Sequence, residues 1–136
     1  MTPLETMIRH PYVMAGLGGA IGSVSRALMT DMVARWTGDR FPFGTMVVNV
    51  TGALIMGLIA GYGESEPGRL ILTSPARAFL MIGILGGYTT FSSFSLQTFL
   101  LLEQGNVTGA VLNVLLSVAL CLAGVWLGFT LIRALQ

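Results

Sequence analysis

Four stretches of this chain carry no formal charge, over residues 11–25, 41–63, 78–102 and 104–132. Three of them exceed the roughly 20 residues that a helix needs to cross a bilayer. A backbone in lipid must satisfy its amides internally, so helices are the expected structure. The first stretch is short unless Arg26 lies inside its helix. Leu28, Met29, Met32 and Val33 continue the apolar pattern beyond it, and a helical arginine can snorkel or pair with carbonyls. The expected fold class is therefore an all-α integral membrane protein of four transmembrane helices, a single domain over residues 1–136.

Composition agrees, with 54% hydrophobic and 10% charged residues, against about 25% charged in soluble proteins. A cleaved signal peptide would need a basic start and a small-residue cleavage site, whereas glycines and Arg26 follow the first apolar residues. Residues 1–10 are read as a short exposed lead-in. The single cysteine, Cys121, excludes a disulfide framework within one chain and is expected to be packing filler. There is no lysine. Arg9, Arg69, Arg77 and Arg133 fall on one side, with Arg26, Arg35 and Arg40 on or toward the other, so charge gives little preference for either orientation. Nothing suggests nucleic-acid binding.

Helix one is expected from Pro11 to about Arg35, and helix two from about Gly44 to Tyr62. Residues 63–68 break the chain in water, and Ser74-Pro75 reads as an N-cap and first helical position. Helix three starts there and is expected to be interrupted over Gly86 to Thr90. A reversal at Glu103 to Asn106 leads into helix four, which ends near Arg133. Small residues four apart recur in every helix, as in Gly18 with Gly22 or Gly124 with Gly128, and such spacing permits close helix packing.

The mid-membrane cluster Gly86-Gly87-Tyr88-Thr89-Thr90-Phe91-Ser92-Ser93-Phe94-Ser95 places glycines and hydroxyls where water is scarcest. A break at that depth is tolerated only around a cavity or site. Asp, Glu, Lys and His are missing from the deep apolar runs, which leaves proton-coupled transport without a carrier and catalysis without a motif. The polar groups that remain are neutral: Asn49 and Thr51, the Thr/Ser cluster, Asn113 and Ser117. Phe91 and Phe94 share one helical face, and Ser92 and Ser95 the adjoining one. Aromatic ring edges are positive, and hydroxyl and amide groups donate hydrogen bonds, so this track favours an anion. Carbonyl oxygens freed at the break, such as those of Gly86 and Thr89, suit a hard cation such as Na+. The competing reading is that the hydroxyls bond back to their own helix and the rings merely pack.

The decamer resembles the signature GG-x-[ST]-T-F-S-[ST]-F-S of the Fluc (CrcB-like) fluoride channels. Gly18-Gly19-Ala20-Ile21-Gly22 followed by Arg26, and Gly44-Thr45-Met46-Val47-Val48-Asn49 followed by Gly52, agree with that family in order and spacing. The resemblance covers nearly the whole chain. It implies an antiparallel, dual-topology homodimer in a bacterial plasma membrane, with two fluoride pores and one structural, untransported Na+ at the interface. It assigns Phe91, Phe94, Asn49, Ser92 and Ser95 to the pore, and Thr45 to the track or motif. By the same resemblance the Gly86 and Thr89 carbonyls hold Na+ and Arg26 stands near an aqueous vestibule. Gln97 departs from the pattern, standing where many relatives carry glutamate.

Other functions fare worse. A proton-coupled drug exporter wants an embedded carboxylate, and helix one has none before Asp31 near its far end. A noncatalytic assembly subunit would account for the small-residue stripes but not for hydroxyls beside a break.

Overall fold

The computed structural model describes residues 10–136. Arg9 and the lead-in up to it lie outside the described residues, while His10 is exposed. Helix α1 spans Pro11–Thr37, with proline in its first turn where a missing N–H costs nothing. It stops at Gly38, whose φ of 73° suits glycine and whose N–H bonds the Ala34 carbonyl. Helix α2 spans Phe43–Gly63. A short helix, α3, spans Glu66–Ile71, and Ser65 caps it by accepting the Gly68 N–H at 3.0 Å. The expected loop over residues 63–68 is thus partly helical, because a serine cap followed by glutamate and proline starts a helix well.

The third span consists of two helices. The first, α4, covers residues 74–88 and begins with Ser74–Arg77, for which Thr73, rather than Ser74, occupies the cap position. It widens to π winding over Ala78–Leu85 and returns to α winding over Gly86–Tyr88. Helix α5 spans Phe91–Glu103. After a turn with Gly105 at φ 74°, α6 spans Val107–Ala134, capped by the Asn106 side chain, which accepts the Gly109 N–H at 2.9 Å.

By length and composition, Phe43–Gly63, Ser74–Glu103 and Val107–Ala134 can each cross a membrane. Helix α1 is as long, yet Arg26, Asp31 and Arg35 lower its apolar character. It lies alongside α4 through Gly18, Gly22 and Gly19, so it shares the depth of the third span. Large apolar side chains such as Leu28, Leu115 and Trp126 face outward, and glycines fill the helix contacts. That inversion of a soluble core is expected where lipid is as apolar as leucine and close backbone approach holds helices together. A Cβ on Gly83 would stand 2.8 Å from the Ala15 carbonyl oxygen, and one on Gly87 would stand 2.6 Å from that of Gly19. Across the molecule, Gly57 and Gly128 make the same kind of approach between α2 and α6.

Candidate functional site

The interruption is narrower than the sequence suggests. Gly86 and Gly87 remain helical, and only Thr89 and Thr90 leave helical geometry, with ψ of 156° and 117°. The expectation of a break beginning at Gly86 is corrected accordingly. Gly87 admits α1 rather than unwinding the chain, and the unwinding is held by a side chain.

Asn49, on α2, carries that task. Thr90 is extended, at φ −152° and ψ 117°, so its N–H and C=O lie on one side, as in a strand. The Thr90 N–H donates to Asn49 Oδ1 at 2.8 Å, and Asn49 Nδ2 donates to the Thr90 carbonyl at 3.0 Å. The Thr90 hydroxyl then caps α5, accepting the Ser93 N–H at 3.2 Å. Gly52, one turn beyond Asn49, leaves the slot for this segment: a Cβ there would collide with the Thr89 methyl and lie 3.2 Å from the Tyr88 ring. Tyr88 in turn shares a 3.0 Å hydrogen bond with Thr51, whose hydroxyl donates to the Val47 carbonyl at 2.7 Å.

Beside the break lies a groove of about 410 Å³ that Asn49, Thr89, Thr90, Phe91, Phe94 and Ser117 help to line. The Phe91 and Phe94 rings are 5.3 Å apart and tilted by 46°, within the range of edge-to-face attraction. Phe94 is 9% exposed, whereas Phe91 is 77% exposed in the single chain. A second cavity of about 230 Å³ opens between the ends of α1, α2 and α5, where Thr45, Gln97, Gln104 and Arg40 meet. Thr45 sits one turn before Asn49, and Gln97 one turn beyond Phe94, so the two spaces are a helical turn apart on both walls. Among the described residues, Gln97 Oε1 is the buried side-chain oxygen left without a partner.

The expected site residues divide into those the groove gathers and those it does not. Asn49, Phe91 and Phe94 converge on it, and Thr45 lines the outer cavity instead. Ser92 and Ser95 are exposed and line neither space. Ser95 donates back to the Phe91 carbonyl at 2.9 Å, and Ser92 Oγ lies 3.2 Å from Thr90 Oγ1. Arg26 is half-buried and extends Nη1 to the Thr89 carbonyl at 3.4 Å. Cys121 lines the groove rather than filling a core. A network that ties Ser117, a residue the sequence allows in the polar track, into the packing joins α5 to α6: Asn113, 2% exposed, donates to Thr98 Oγ1 at 2.8 Å, and Ser117 donates to Asn113 Oδ1 at 3.4 Å. Two polar residues four apart in an otherwise apolar helix were the signal available for it.

A cation at the break would meet neutral oxygens, and the described residues contain no cluster of three His, Cys, Asp or Glu side chains. The Gly86 carbonyl fits. Its helical donor, the Thr90 N–H, is held by Asn49, and the Thr89 N–H goes to the Leu85 carbonyl at 2.9 Å. Gly86 is also exposed, with no atom closer than 3.7 Å to the position a Cβ would take. The Thr89 carbonyl fits less freely because Arg26 shares it.

A family model described as CrcB-like protein, camphor resistance (CrcB), matches residues 13–129. The fluoride-specific ion channel FluC of Opitutus terrae is 50% identical over 117 residues, covering 86% of this chain and 88% of that one. Proteins of the same name from Coxiella burnetii and Rhodopseudomonas palustris are 49% and 48% identical, covering 88% and 91% of this chain and 94% and 98% of their own lengths.

Proposed function

The chain belongs to the CrcB-like family, and from that membership we propose that it is a fluoride-selective passive channel that lets F- leave the cytoplasm. It is a multi-pass membrane protein and a channel rather than an enzyme. In acidic surroundings neutral HF enters a cell and dissociates, and the inside-negative potential then drives the anion outward without energy coupling. The observation that carries the reading is the convergence of Asn49, Phe91 and Phe94 on the groove beside the break. Ring edges and an amide supply positive ends of dipoles without formal charge, which favours a small anion while leaving it free to move on. Asn49 Nδ2 has a second hydrogen beyond the one given to Thr90, and that hydrogen is the donor for F-. Ser117 and Thr45 extend the polar lining inward and outward. Ser92 and Ser95 serve only if their hydroxyls rotate away from Thr90 and the Phe91 carbonyl.

The working unit is an antiparallel homodimer of a single-domain chain, residues 1–136, inserted in both orientations. The exposed Phe91 and the open side of the groove support it, because an ion path through lipid needs a protein wall on every side. One structural Na+ sits where the two broken spans meet, held by the Gly86 and Thr89 carbonyls of each copy. Released backbone oxygens in a membrane suit a hard cation, which would pin the interface electrostatically. Arg26, beside Thr89, adds a positive charge that draws anions toward the same depth.

Liposomes loaded with fluoride test the function. The purified protein is expected to give electrogenic F- efflux, with Cl- efflux lower by orders of magnitude. Comparable Cl- efflux would defeat the selectivity, and no F- efflux would defeat the channel.

A further inference from the structure

We propose that Asn49 is the positioning residue that creates the cation site, so that the anion path and the Na+ pin depend on one side chain. This rests on the cation reading above. In an unbroken helix the Thr90 N–H would donate to the Gly86 carbonyl. Here that proton is held by Asn49 Oδ1 at 2.8 Å, and the return bond from Nδ2 to the Thr90 carbonyl, at 3.0 Å, fixes Thr90 in its extended form. The neighbouring donors are also committed. Both the N–H and the hydroxyl of Thr89 go to the Leu85 carbonyl, at 2.9 and 2.8 Å. The Gly86 oxygen is therefore left as an acceptor without a donor at membrane depth, a condition that costs several kcal/mol unless another partner takes it.

Without the Asn49 amide, the unmet Thr90 N–H and the unmet Gly86 oxygen satisfy each other by closing one more helical turn. That closure removes a cation ligand without any change at Gly86 itself. Asn49→Leu and the smaller Asn49→Ala keep neither an acceptor for the Thr90 N–H nor a donor for its carbonyl.

The test is the Na+ dependence of thermal unfolding, measured on the purified full chain in detergent with Na+ exchanged for N-methylglucamine at constant ionic strength. Gel filtration first establishes that each variant is folded. The wild type is expected to be stabilised by Na+ with a defined midpoint. The Leu and Ala variants are expected to need at least tenfold more Na+ or to lose the response, a difference of about 1.4 kcal/mol or more. Leu and Ala variants with the wild-type midpoint would overturn the inference alone. A wild type that does not respond to Na+ would overturn the cation reading, and the inference with it.

Discussion

Phe91 and Phe94 are three residues apart on one helix, yet Phe94 is buried in its own chain and Phe91 projects from it. The pair thus offers one ring held within its own chain and one ring that the chain leaves uncovered. Replacing Phe94 by isoleucine keeps most of the bulk and removes the positive edge. Phe94→Ile is expected to lower F- efflux from liposomes at least tenfold while the protein elutes as the wild type does on gel filtration. Full efflux would mean that the ring only packs. At this scale the sequence made the chemistry legible but not its bonding. Phe91, Phe94 and Asn49 stand out because rings and an amide are rare beside a mid-membrane break. Whether a hydroxyl faces the path or its own helix is decided by a rotamer, which residue type does not specify. Ser95 turns back to the Phe91 carbonyl, so part of the expected donor track is occupied within the helix.

Elements were legible to the extent that apolar runs and caps define them. Helices α1, α2 and α6 begin and end within a few residues of where charge and glycine place them. The break was mislocated because two glycines in a signature look like flexibility, whereas Gly83 and Gly87 serve the contact with α1. Its true position depends on Asn49, 41 residues away, and no local pattern encodes that. The π winding over Ala78–Leu85 was equally hidden, since apolar residues suit α and π turns alike. The packing role makes a prediction. In Gly87→Val the added Cβ must push the Gly19 backbone away, as its oxygen lies 2.6 Å from that position. Forcing extra volume into such a contact costs about 1–3 kcal/mol. The melting temperature in detergent is expected to fall, while Gly16→Ala, with nothing within 4 Å, should not lower it. Equal melting of both variants would contradict the contact.

On the scale of the whole molecule, the outer cavity at Thr45 and Gln97 and the groove at Asn49 and Phe94 are successive spaces along α2 and α5, with α6 closing the inner one through Ser117. The apolar runs made the long membrane-length helices legible, whereas the proposed partner comes from the resemblance alone. The groove was legible only as a list of residues, because which of them share a space depends on how α2, α5 and α6 cross. Cys121 illustrates this. As the single cysteine in an apolar run it reads as filler, yet it lines the groove with Phe91 and Phe94. It is consequently a native probe of the claim that fluoride passes there. The wild type, labelled to completion with a small methanethiosulfonate reagent, is expected to lose at least nine-tenths of its F- efflux, labelling should slow in high fluoride, and Cys121→Ala should be indifferent to the reagent. Full labelling with undiminished efflux would contradict the account, because the groove beside the break would then not be the path.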